Sequence, residues 1–151
     1  MQSDCIFWQV GAEQGDHVMT HDDRSEVPES DRLAPQFERV HQAVVFIMQN
    51  FTYLLEALAR IPEGDGTVLS NSLIYAMSEV SDGTAHNYTD MPILVAGRAG
   101  GRIRSGLHVQ PSSQTNASMV PLTCMRALGL DVAEFGAGAS RATDVVSELL
   151  V

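Results

Sequence analysis

From Pro35 to Arg60 the apolar side chains Phe37, Val40, Val44, Ile47, Met48, Phe51, Leu54, Leu55 and Leu58 recur at steps of three and four. That spacing matches the turn of an α-helix, so these side chains share one stripe, whereas a strand would scatter them over both faces. Pro35 falls in the first turn, where a missing N–H removes no hydrogen bond. "IPEGDG" at residues 61–66 then stops the helix with a proline followed by two glycines. A long helix with one apolar face has to lie on a second layer, which points to a layered fold. His41 falls on or beside the stripe.

The second layer is read from short apolar runs. Leu73 to Ser78 and "PILVAG" at residues 92–97 are apolar enough for strands buried on both faces, as in a parallel sheet. "CIFWQV" at residues 5–10 reads as an earlier strand, and residues 16–34 as a polar, acidic loop without sustained period. After "RAGG", the run "RIRSGLHV" reads as a hairpin of short edge strands. Met119 to Leu128 makes a helix with Pro121 in its first turn and Gly129 as its cap, and "ATDVVSELL" a short C-terminal helix. The expected architecture is therefore α/β, one layered domain over residues 1–151 with a small, mostly parallel sheet. A hydrophobic share of 44% against 19% charged residues fits a chain that folds around a core.

Composition excludes several functions. Nineteen acidic against nine basic residues give a net charge of −10, a field that repels phosphate backbones, so nucleic acid is not an expected partner. All nine basic residues are arginine. Cys5 and Cys124 form no CxxC pair, which leaves neither a zinc ribbon nor a redox motif; buried free thiols are the simplest reading and one disulfide the alternative. No apolar run approaches the ~18 residues of a membrane span, and the opening "MQSDCIFWQV" lacks the features of a signal peptide.

Two loop constellations carry residues suited to chemistry. One is His17-Val18-Met19-Thr20-His21-Asp22; the other is Ser81-Asp82-Gly83-Thr84-Ala85-His86, with Asp90 beyond it. Imidazole and carboxylate are natural ligands for a divalent cation such as zinc or manganese. Histidines four apart can meet one ion from a single helical turn, although the glutamate of the HExxH zinc-protease motif is missing. Asp82 and His86 share that spacing, so two converging pairs would make a four-ligand site. Acid/base work by a histidine polarised by an aspartate is an alternative use, and a solvated turn, for which Asp82-Gly83 is well suited, is the plain one. Thr20 and Ser81 are hydroxyls beside the two pairs that a bound metal would activate. There is no GxSxG elbow and no GxxxxGK[ST] phosphate loop.

The run "IPEGDGTVLSNSLIYAMSEVSDGTAHNYTDMPILVAGRAGGRIRSGLHV", followed by "MRALGLDVAEFG", resembles the C-terminal part of the HXXSHH family, exported bacterial proteins of unknown function. The likeness covers nearly all the chain from His17 onward. The name-giving motif falls on His17 to Asp22, with Thr20 in place of the serine and Asp22 in place of the last histidine. The resemblance implies an exported protein, periplasmic or extracellular. It also implies that the chain is the C-terminal portion of a longer α/β domain. More loosely, the architecture is similar to the alkaline phosphatase and sulfatase superfamily, which holds divalent metals on Asp and His in loops at strand ends.

Two functions follow as expectations. The first is a metal-dependent hydrolase-like domain acting on a small-molecule or polymer phosphate or sulfate ester, with His17, His21, Asp82 and His86 on the metal and Asp22 and Asp90 as further ligands. The second is a non-catalytic exported binding or structural domain, marked by an exposed apolar or aromatic patch. The first stands only if the His17/His21 and Asp82/His86 segments converge.

Overall fold

In the computed structural model, residues 5–13, 15–21, 35–83, 85–110 and 115–151 are described. They gather into two compact units: residues up to 54 with Ser78–Met91, and Leu55–Met77 with Pro92–Val151.

The first unit holds α1 (Asp16–Thr20) and most of α2 (Pro35–Arg60), the long helix that the apolar spacing requires. Residues 5–10 form no strand. The chain tightens there into a 3₁₀ turn over Trp8–Val10, and Gly11 (φ 73°) closes it. The reason is local satisfaction: Phe7 O accepts the N–H groups of both Val10 and Ala12, which leaves no extended edge to pair. Arg39 ties the turn to α2 by donating from Nη1 to Val10 O (2.6 Å), and Phe7 meets Phe46 edge-on at 6.4 Å. Ala12, Met19 and Ala43 are buried, while Val44, Ile47 and Leu54 on the stripe of α2 stay about half exposed. The expected loop over 16–34 is helical over Asp16–Thr20, and residues 22–34 lie outside the described residues.

In the second unit, the PEGDGT segment forms a two-residue hairpin, β1 (Pro62–Glu63) against β2 (Gly66–Thr67). Thr67 then caps α3 (Val68–Asn71). Its side chain accepts the Ser70 N–H, and Ser70 Oγ accepts the Thr67 N–H, a reciprocal capping box. β3 (Leu73–Met77) follows, and β4 (Ile93–Gly97) runs beside it in the register Leu73↔Gly97 to Met77↔Ile93. The pairing is antiparallel, which corrects the expectation of a mostly parallel sheet. A parallel pair needs a crossover, usually helical; residues 78–92 contain no helix among the described residues, so the chain simply comes back alongside β3. Met77 and Leu94 are exposed, so neither strand is buried on both faces as the apolar runs implied.

Gly97 (φ 88°) is required where β4 meets α3, because a Cβ there would fall 2.8 Å from Leu69 O and closer still to Ser72 O. Ala99 and Ile103 then enter the core with Ala127 of α4 (Met119–Ala127), and Leu73, Val95, Leu149 and Leu150 pack around them. Inside α4, Thr123 is fully buried yet satisfied: it donates to Met119 O and accepts the Val146 N–H at 2.9 Å.

Two further expectations fail in this unit for one reason. Residues 102–109 do not make a hairpin, and "ATDVVSELL" is not an α-helix but ends in a 3₁₀ turn at Ser147–Leu149. The two segments satisfy each other instead: Ile103 bridges Leu150, Arg104 N–H reaches Leu149 O, and Val151 N–H reaches Arg102 O. Both cysteines are free. Cys124 is buried, and burial pushes its thiol above the ordinary value, while Cys5 is exposed rather than buried. No helix among the described residues is long and apolar enough to cross a membrane.

Candidate metal centre

The site is built from two segments of the first unit. Gly15, in extended conformation, lets α1 start at Asp16, and Met19 anchors the short helix with its buried side chain. Met19 N–H closes onto Gly15 O (3.1 Å) and His21 N–H onto Val18 O (3.2 Å). One turn of helix therefore puts His17 and His21 on the same side, the i, i+4 relation. Their rings lie 4.3 Å apart between centroids, at 75° to each other.

The other segment is a small closed loop. Asp82 bridges Asn87 in antiparallel fashion, Ser81 N–H donates to Asn87 O (3.0 Å), and Ser81 Oγ bonds the Asn87 backbone and side chain. Across the loop, Asp82 Oδ1 accepts the Ala85 N–H at 3.0 Å, the turn-forming use of an aspartate. His86 then adopts a left-handed backbone (φ 50°), a conformation uncommon outside glycine. Its ring comes to 4.6 Å from that of His21, edge to face, and 6.0 Å from that of His17, stacked at 21°.

The ligand nitrogens of His17, His21 and His86 lie within 4.8 Å of one another. His17 and His21 are half-buried and His86 is exposed, so the cluster is open on one side. Of the six residues read from sequence as metal ligands, these three come together. Asp82 and Asp90 are not in the group; Asp82 shapes the loop, and Asp90 is exposed with a left-handed backbone (φ 55°). Asp22 lies outside the described residues. The two hydroxyls have local duties: Thr20 Oγ1 donates to His17 O (3.0 Å), and Ser81 Oγ serves the Asn87 turn.

One contact was not legible as such in the sequence. Gly83 reads as half of an Asp-Gly turn, yet its φ is not positive; a Cβ added there would stand 2.8 Å from Thr20 Cβ. The glycine serves close approach between the two segments. Asp-Gly is so common in turns that its sequence gave no signal of this second use.

Comparison of the chain with protein-family models, with curated proteins and with solved structures finds no match.

Proposed function

We propose that His17, His21 and His86 form a divalent-metal centre, and that the chain works as a metal-dependent hydrolase-like domain on phosphate or sulfate esters. One observation carries the reading: three imidazoles from two separate segments present ligand atoms within 4.8 Å. Three protein ligands with an open side is the usual plan of a catalytic zinc site, where a structural site closes with four. Imidazole donors also favour zinc, iron, nickel or copper over magnesium or calcium, and zinc over manganese.

The donor set fits an ion of that kind. Nitrogens bound at ~2.1 Å to one tetrahedral ion stand about 3.4 Å apart, so the triangle has to tighten by up to about 1.4 Å at its widest. The exposed His86 ring can swing toward the ion about its own side-chain bonds while the bonded loop holds its backbone, and His17 and His21 are carried by α1. The bound ion would polarise an ester oxygen and lower the pKa of a coordinated water toward about 7. The chain's own contribution is to hold three imidazoles, to fix two of them on one helical turn, and to leave one side open to substrate. Because the Thr20 and Ser81 hydroxyls are engaged in their turns, water is the favoured nucleophile. The ester class, the exported location and the place of the chain within a longer domain rest on the resemblance to the HXXSHH family and the phosphatase and sulfatase superfamily.

Zinc content of the purified chain, with hydrolysis of p-nitrophenyl phosphate and p-nitrophenyl sulfate, tests the proposal. His21→Ala and His86→Ala should each lose metal and any hydrolysis together. Equal zinc content in both variants and the parent would remove it. A second reading, a binding domain without catalysis, is favoured by the exposed Val44, Ile47, Tyr53 and Leu54 of α2. It predicts the metal centre's loss to be without effect on partner binding at that helix.

A further inference from the structure

The metal reading leaves open what makes the third histidine arrive. His17 and His21 need nothing beyond one turn of helix, but His86 comes from a separate loop, and one of the places where that loop meets α1 is Gly83 against Thr20. At that point a Cβ on Gly83 would lie 2.8 Å from Thr20 Cβ, 3.2 Å from its Oγ1 and 3.4 Å from its Cγ2. Carbon atoms in good contact stay ~3.5–4.0 Å apart, so only a residue without a side chain can occupy position 83 at this separation.

Neither partner can yield cheaply. Thr20 is β-branched and stiff about χ1, its hydroxyl donates to His17 O, and the nearest atom is its Cβ, which moves only with the helix backbone. The loop is stiffened by the Asp82↔Asn87 bridge, the Ser81–Asn87 bonds and the Asp82–Ala85 bond. Because the Asp82↔Asn87 bridge and the Ser81–Asn87 bonds tie the two limbs of the loop together, a displacement at residue 83 reaches His86 through its neighbour Asn87. The positive φ of His86 shows how closely its direction is already specified.

We propose that Gly83 is a positioning residue: by seating its bare Cα against Thr20 it sets the reach of His86, and so decides whether the site offers two metal ligands or three. The proposal rests on the metal-centre reading above. It predicts that a methyl group at position 83 acts on metal affinity without touching a ligand, at the scale of outer-shell changes in metal sites, a loss of about 10–100-fold.

The experiment is a zinc competition titration on the full chain, with Co²⁺ absorption as a second readout, for the parent, Gly83→Ala, His86→Ala and the double variant. Gly83→Ala should weaken zinc binding by about 10–100-fold and shift the cobalt spectrum toward that of His86→Ala. The double variant should bind no more weakly than His86→Ala alone, because the two changes act through one ligand. Thr20→Gly combined with Gly83→Ala removes the clash and should restore affinity, which also covers the case in which Gly83→Ala alone folds poorly. Parent-like affinity in Gly83→Ala, or a full additive loss in the His86→Ala background, would overturn the positioning role while leaving the metal centre intact. A parent chain that binds no zinc would overturn both.

Discussion

Residues 92–151 and the His-bearing segments 15–21 and 81–87 hold their conformations by different means. In the former, Ile103, Leu122 and Thr123 are fully buried, and the C-terminal segment returns to that core: Val146 through Thr123, Leu149 and Leu150 through residues 103–104. The latter has as its buried apolar neighbours only Ala12, Met19 and Ala43 among the described residues of its unit. Its geometry comes from a one-turn helix, a bridged loop and the contacts between them, that of Gly83 with Thr20 included. A core fixes positions through many small dispersion contacts, whereas a polar loop fixes them through a few bonds, each of which matters singly. The low-stability end of a molecule is where ligand sites are commonly found, and a bound ion would supply the missing cohesion.

That contrast can be broken most directly from the core side. Gly97→Ala places a Cβ against Leu69 O and Ser72 O at φ 88°. Left-handed strain of about 1–3 kcal/mol and overpacking of about 1–3 kcal/mol together give an expected loss of about 2–6 kcal/mol in urea unfolding. A neutral result would mean that β4 can shift away from α3.

The next effect sharpens the comparison. Zinc at about a hundred times its Kd stabilises the state that binds it by about 2.7 kcal/mol. Amide exchange of residues 17–21 and 85–87 should slow accordingly, while that of 93–97 and 122–127 should not change. Uniform protection across both sets would indicate that the two regions open together.

Thr123→Val is expected to cost about 1–3 kcal/mol, because it leaves the buried Val146 N–H without its acceptor. Thermal unfolding measures this, and Thr123→Ser should recover most of the loss. Smallest of all is Glu56→Gln. Its ion pair with Arg60 spans 2.8 Å, but both side chains are mostly exposed, so about 0.3–0.5 kcal/mol is expected and salt should abolish the difference.

The sequence displayed those parts of the fold that local physics dictates. The period of Phe37 to Leu58 fixed α2, Pro121 and Gly129 bracketed α4, and the apolar runs at 73–78 and 92–97 located both strands. Strand direction was hidden, because an antiparallel pair and a parallel one can share the same apolar run; connection geometry decides between them. The segments 5–10, 102–109 and 142–150 were misread where hydrogen bonds to distant or immediate neighbours overrode propensity, as in the pairing of Ile103 with Leu150.

At the site, the four-residue spacing of His17 and His21 marked them as a pair able to meet one ion, although the segment itself reads as a loop, and the same spacing of Asp82 and His86 marked the second pair. Asp82 carries the same spacing from His86, yet its Oδ1 serves the Ala85 N–H. Spacing alone cannot tell a ligand from a turn former. Gly83 was the least legible residue, since its value lies in what it lacks at a contact with a segment more than sixty positions away.

The central claim is that three histidines from two segments grip one cation, and a cobalt titration followed by visible absorption tests it most directly. The parent chain should saturate at one equivalent with a d–d spectrum of nitrogen ligation, and His17→Ala, His21→Ala and His86→Ala should each weaken the binding and alter the spectrum. No spectral change in the parent, or an unchanged titration in all three variants, would contradict the account.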